Sequence, residues 1–176
     1  MKWIIPATEY QVWKDFSLKL TNELSFETGM FYHLKGNNGA GKSSFIKKVL
    51  IPLLQKKPEQ QYIFYIEQQI QSQFDAIKAY AALQKPSVQI NNFNDMILYQ
   101  LNKLSEQSKV SKRPMMVILD ECSQSSMITE ELSKFTDTQY CILFVDHSDC
   151  STDMSNNSKD VIFKSVSAQL TEVCSV

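Results

Sequence analysis

Apolar positions along this chain recur with two different periods. Phe16-Ser17-Leu18-Lys19-Leu20 alternates with period two and predicts a strand over 16–20. A second strand is predicted over 31–35, and a short β-rich run over 62–66. From 42 to 54 the period changes: Phe45, Ile46, Val49, Leu50 and Leu53 fall on one helical face, and Pro52 should kink or end that helix. Helical spacing returns over 69–83, 93–107 and 129–135. Two continuous apolar runs, 115–119 and 140–145, have the look of strands buried on both faces, as parallel strands are. Short segments at 161–163 and 170–173 suggest a terminal ribbon. Strands alternating with helices predict an α/β architecture around a parallel sheet, and such sheets bind ligands at the carboxyl ends of their strands.

Composition narrows the class. The chain has 176 residues, 43% hydrophobic and 21% charged, which suits one globular domain over 1–176 rather than a disordered tail or a small disulfide scaffold. The net charge is −1, from 18 basic and 19 acidic residues, and Arg113 is the single arginine, so whole-chain charge carries no strong nucleic-acid signal. No apolar run approaches the ~18 residues of a membrane span, and the first ten residues lack a secretory h-region, so a cytoplasmic chain is expected. Cys122, Cys141, Cys150 and Cys174 form no CxxC pair and no zinc-finger spacing, which favours reduced thiols without a metal.

One count points to chemistry. The four glycines, Gly29, Gly36, Gly39 and Gly41, fall within 13 residues. After the strand 31–35 comes Gly36-Asn37-Asn38-Gly39-Ala40-Gly41-Lys42-Ser43, followed by Ser44, which matches G-x-x-x-x-G-K-[ST] at every required position. Glycines let the backbone curl so that N–H groups face phosphate oxygens, and the helix beginning near Lys42 aims its positive end at the same anion. In such a loop the lysine reaches the β- and γ-phosphates and the serine hydroxyl ligates Mg²⁺. The run 115–119 then ends in Asp120-Glu121. Asp120 is placed to hold Mg²⁺, and Glu121 to polarise an attacking water as general base.

In these motifs and their order the sequence resembles the ATP-binding cassette (ABC) ATPase family, as a compact member with a degenerate signature motif. The loop 36–44 looks like the family's own version of Walker A, and the segment Tyr10-Gln11-Val12-Trp13-Lys14-Asp15-Phe16-Ser17-Leu18 resembles its aromatic region. The resemblance implies that Tyr10, or else Trp13, stacks on adenine. Ile63-Phe64-Tyr65-Ile66-Glu67-Gln68 resembles the strand leading into the Q-loop, making Gln68, with Gln69 as the alternative register, the residue that senses Mg²⁺ and the γ-phosphate. Cys141-Ile142-Leu143-Phe144-Val145-Asp146-His147 resembles the strand ending in the switch histidine, so His147 would orient the catalytic water; His33 reads as structural.

The resemblance implies a phosphate-loop α/β fold with helices on both faces of the sheet, a short N-terminal β segment and a reduced helical subdomain over about 69–113. It departs from the family where two subunits meet. With no glycine after Gly41, the Leu-Ser-Gly-Gly-Gln signature is absent in that form. Leu104-Ser105-Glu106-Gln107 and Asn92-Phe93-Asn94-Asp95-Met96 are the two candidate remnants, the second capping a helix through Asn94. The segment 122–127 also lacks the D-loop aspartate. The function implied is Mg-ATP binding and hydrolysis as the nucleotide-binding subunit of an ABC transporter. Its partners would be a second nucleotide-binding subunit, in a homo- or heterodimer, and a membrane-embedded subunit that would hold it at the inner face of the cell membrane. A soluble, non-transport ATPase of the same superfamily is the alternative. A small-molecule kinase is disfavoured by the single arginine.

Overall fold

The computed structural model describes residues 1–67, 71–84, 87–120, 139–145 and 157–175. Gln68, Gln69, Glu121, Asp146, His147, the segment 122–127 and the helix expected over 129–135 lie outside the described residues.

The described elements are β1 (Lys2–Ile5), β2 (Glu9–Trp13), β3 (Phe16–Leu20), β4 (Leu24–Glu27), β5 (Phe31–Gly36), α1 (Lys42–Phe45), a π-helical segment (Ile46–Leu50), α2 (Ile51–Leu54), a 3₁₀ turn (Pro58–Gln60), β6 (Tyr62–Ile66), α3 (Gln71–Ala82), α4 (Phe93–Ser111), β7 (Met115–Asp120), β8 (Tyr140–Val145), β9 (Ser158–Ser167) and β10 (Leu170–Ser175). Strands β1 and β4 form an antiparallel ribbon. The other eight make one sheet in the order β2-β3-β10-β9-β5-β8-β7-β6. From β9 through β5, β8 and β7 to β6 every pairing is parallel. Beyond it, β9 and β10 are an antiparallel hairpin, β10 runs parallel to β3, and β2 returns antiparallel to β3. The expected α/β class holds, with a mixed rather than purely parallel sheet.

The two faces of the sheet bury different cores. On β7, Met116 and Ile118 join one cluster while Met115, Val117 and Leu119 join the other; on β8, Cys141, Leu143 and Val145 separate in the same way from Tyr140, Ile142 and Phe144. Burial on both sides is why these strands read as unbroken apolar runs. The first cluster is closed by Phe45, Ile46, Val49, Leu50 and Leu54 from the helix after the glycine loop, and by Trp3, Ile5, Leu24 and Phe26 of the ribbon. The second is closed by Ala81 of α3 and by Met96, Ile97 and Leu101 of α4. Each fully buried large side chain, such as Phe45 or Leu50, contributes about 1.5–3 kcal/mol. That burial clamps the helix after the glycine loop against the sheet.

Several boundaries differ from expectation. Pro52 does not end its helix: the chain widens into the π segment just before it, then continues as α2 to Leu54 with the proline in its first turn. A proline has no N–H to donate, and the widened turn accommodates that loss without a break. Helix α4 runs four residues beyond the expected 107, to Ser111, where Lys112 at φ 55° terminates it. Its cap is Asn92 rather than Asn94: the Asn92 side chain accepts from the Asp95 N–H at 2.9 Å, and Asp95 in turn accepts from the Asn91 N–H at 2.9 Å. The alternative remnant, Leu104 to Gln107, lies inside α4, where the buried Ser105 hydroxyl is spent on Tyr140 Oη at 2.9 Å. No described helix is long and apolar enough to cross a membrane.

Candidate nucleotide site

Gly36 ends β5 and opens the loop. Its φ is +153°, and a Cβ there would stand 2.5 Å from the Phe163 carbonyl oxygen of neighbouring β9, so only glycine lets the two strands come this close. Gly41, at φ +89°, is the residue before α1, and the Phe45 N–H donates back to its carbonyl at 2.8 Å. Between them the Ala40 N–H closes a turn onto the Asn37 carbonyl at 3.1 Å. The loop therefore curls at the carboxyl end of the sheet.

Lys42 is 3% exposed, with its ammonium donating to the carbonyls of Gly36 at 2.7 Å and Asn37 at 3.1 Å. A cation is thus folded into the mouth of a glycine loop. The next residue, Ser43, donates its hydroxyl proton to Asp120 Oδ1 at 3.0 Å, across 77 residues of sequence. Asp120 is 1% exposed at the tip of β7. Strand β8 lies between β5 and β7, which holds the loop and the carboxylate at the same edge of the sheet.

These donors suit a magnesium–nucleotide group. The hydroxyl proton of Ser43 is committed to Asp120, so its lone pairs are left for a hard cation, and the carboxylate adds a second oxygen of the kind Mg²⁺ takes. Lys42 and the curled backbone supply positive charge and N–H donors beside it.

The two aromatic candidates stand apart. Tyr10 packs against the first core and donates to the Pro6 carbonyl at 3.1 Å; burial pushes its phenol up. Trp13 is 54% exposed and donates through Nε1 to Ser44 Oγ at 3.3 Å, while the Lys48 ammonium sits 4.7 Å above its ring. Of these two candidates, Trp13 is therefore the one that touches the glycine-loop motif.

Two residues at the site escaped the sequence reading. Tyr65, on β6, donates its phenol to Asp120 Oδ2 at 3.1 Å. Burial first, and the Asp120 charge second, push that phenol up, which keeps it a donor. Lys47 pairs with Glu67 at 3.0 Å and lies 6.0 Å above the Tyr65 ring. The only available signal was position: Tyr65 is the next-to-last residue of an apolar strand that neighbours β7.

No family model matches the sequence, and no curated protein matches it. Solved structures do match in fold. CbiO1 from Clostridium perfringens, described as part of the ABC transporter complex CbiONQ, aligns over 96% of this chain and 85% of its own, with a TM-score of 0.59 and 14% identity. A bacterial Atm1-family ABC exporter with ATP bound aligns over 97% of this chain and 38% of its own, with a TM-score of 0.55 and 11% identity. ABCE1 in a ribosome-bound archaeal Pelota–ABCE1 assembly aligns over 98% of this chain, with a TM-score of 0.52 and 14% identity; the chain spans only 34% of that protein's length. Identity this low speaks for architecture alone. That architecture, a phosphate-loop α/β sheet with helices on both faces, is the fold of ABC ATPase domains.

Proposed function

We propose that the chain binds Mg-ATP at the 36–44 loop and hydrolyses it, as one nucleotide-binding subunit of an ABC-type assembly. The observation that carries this reading is the hydrogen bond from Ser43 to Asp120, made beside the buried Lys42 ammonium. It joins the end of the glycine motif to the acidic strand tip, two features that lie 77 residues apart in the sequence.

In this reading the loop 36–44 cradles phosphate oxygens with the N–H groups of Gly36, Asn37, Asn38, Gly39, Gly41, Lys42, Ser43 and Ser44, while Ala40 closes the turn onto Asn37. Lys42 exchanges its loop carbonyls for phosphate and neutralises charge in a loose phosphoryl-transfer transition state. Ser43 and Asp120, with Gln68, hold Mg²⁺, which supplies charge neutralisation on the phosphates when bound. Glu121 takes the proton of the attacking water, His147 orients that water, and Trp13 or Tyr10 supports the adenine. Arg113 is not a lid arginine: it donates to the carbonyls of Pro58 and Gln61 and lies over the Tyr62 ring, which joins α4 to the start of β6. That use weakens the kinase reading.

A second nucleotide-binding subunit would supply the signature that this chain lacks, and a membrane-embedded subunit would complete a transporter. A non-transport ATPase is the second reading; the ABCE1 of a ribosome-bound assembly shares the fold. The test is equilibrium ATP binding and turnover of the parent, Lys42→Ala and Glu121→Gln, with light scattering on Glu121→Gln with and without Mg-ATP. Lys42→Ala should lose binding, and Glu121→Gln should bind but not hydrolyse. Unchanged turnover in Lys42→Ala sinks the proposal. A Mg-ATP-dependent dimer means that this chain can complete its own sandwich, and a nucleotide-bound monomer sends the search to another subunit.

A further inference from the structure

Asp120 is approached by donors on two sides. Ser43 donates to Oδ1 at 3.0 Å and Tyr65 to Oδ2 at 3.1 Å. A donor on one carboxylate oxygen fixes that oxygen's position; a second donor on the other oxygen fixes rotation about the Cβ–Cγ bond as well. The placement of the phenol is set by the sheet. Strands β6 and β7 are adjacent and parallel, with Tyr65 paired to Ile118, two residues before Asp120. The ring is packed at the edge of the first core, and Lys47 covers it at 6.0 Å. The Gln73 side chain ties down the same strand end, donating to the Tyr65 carbonyl at 3.3 Å and accepting from the Glu67 N–H at 3.2 Å.

We propose that Tyr65 is a positioning residue: its phenol orients the Asp120 carboxylate so that Asp120 and Ser43 together receive the divalent cation of a bound nucleoside triphosphate. This rests on the reading of the site as a Mg-nucleotide site. Ser43 belongs to the glycine motif and Asp120 to the acidic strand tip, whereas Tyr65 comes from a third strand and meets the site through its bond to the carboxylate. Its contribution is therefore to metal affinity, not to phosphate affinity. Partners that orient a metal ligand typically change affinity about 10- to 100-fold.

Tyr65→Phe keeps the ring, its packing and its place under Lys47, and removes only the hydrogen bond. The experiment is equilibrium binding of a fluorescent, non-hydrolysable ATP analogue to the parent and to Tyr65→Phe, first in EDTA and then across a Mg²⁺ titration. A parallel Mn²⁺ titration follows the free ion by electron paramagnetic resonance. The two proteins should bind the metal-free analogue alike, while the Mg²⁺ midpoint rises about tenfold or more in Tyr65→Phe. Midpoints that agree within about twofold overturn the role of Tyr65 and leave the Mg-nucleotide reading standing. Equal weakening with and without metal also overturns it, because that is what a merely structural tyrosine would do. A parent whose analogue binding does not respond to Mg²⁺ defeats the underlying reading, and the inference with it.

Discussion

A methyl group at Gly41 tests whether the glycine loop is shaped by its neighbours or only by its own backbone. Two costs add in Gly41→Ala. The residue sits at φ +89°, where an L side chain costs about 1–2 kcal/mol. The new Cβ would also stand 2.9 Å from two ring carbons of Phe16 and 3.0 Å from Leu18 Cδ2. Overpacking of that kind adds about 1–3 kcal/mol. Gly39→Ala is the matched control, with φ +78° and nothing within 4 Å of its Cβ. Both variants gain the same ~0.4–1 kcal/mol from a stiffer unfolded chain. The difference between them therefore isolates the contact with β3, about 1–3 kcal/mol. At about 2–4 °C per kcal/mol for a chain of this size, Gly41→Ala should melt ~2–12 °C below Gly39→Ala. Thermal unfolding by circular dichroism without nucleotide measures this directly. Equal melting temperatures would refute the claim that Phe16 and Leu18 press on the loop.

The two tryptophans can be told apart by nucleotide. Trp3 is 7% exposed with Nε1 toward Gln61 at 3.4 Å, whereas Trp13 borders Ser44. Adding Mg-ATP should change tryptophan emission in the parent and in Trp3→Phe but not in Trp13→Phe; a change that survives in Trp13→Phe removes Trp13 from the site. Alkaline stability should carry the mark of Tyr32, whose phenol burial pushes up to about 12 while its oxygen accepts from the Glu27 N–H at 2.9 Å. The unfolded chain loses that proton near pH ~10 and the folded one holds it to about 12, so the folded state binds more protons and stability falls as pH rises through that window. Urea unfolding at pH 9, 10, 11 and 12 should show a shallower decline in Tyr32→Phe, and identical slopes would contradict the assignment.

What could be read in the sequence was whatever local chemistry or two-sided burial makes explicit. The glycine motif is contiguous, so its residues declare themselves. β7 and β8 are buried throughout, so their composition marks them as strands. The short strands were harder. In β2 only Val12 is buried, and β1 and β4 are four residues each, too brief for a period to show. Strand β3 finds its partner β10 with Leu18 opposite Thr171, a pairing set by chain closure rather than by any local pattern. The sequence points to Asn94 as the cap of α4, two residues past the actual one, because Asn92 and Asn94 are both good cap residues. The extended backbone of Asn92, at φ −147°, and its bond from the Asp95 N–H identify the one that precedes the helix.

The site shows the same division at closer range. The spacing of Lys42, Ser43 and Asp120 follows from the motif and the strand tip, but Tyr65, Lys47, Lys48 and Trp13 meet it only through tertiary placement. Lys47 and Lys48 are consecutive in the π segment, so their side chains leave the helix in different directions. Lys47 turns to Glu67 and the Tyr65 ring, on the side of the Asp120 carboxylate, and Lys48 turns to Trp13, beside Ser44. Neither contact adds much stability: the ion pair is more than a third exposed on both sides, and such pairs are worth up to about 1 kcal/mol. Their consequence is geometric. One turn of widened helix, directly after α1, touches both the Trp13 ring and the Tyr65 end of the strand that meets the carboxylate. Pro52 stands in the first turn of α2, directly after that widened turn, where it brings no N–H to the helix ladder.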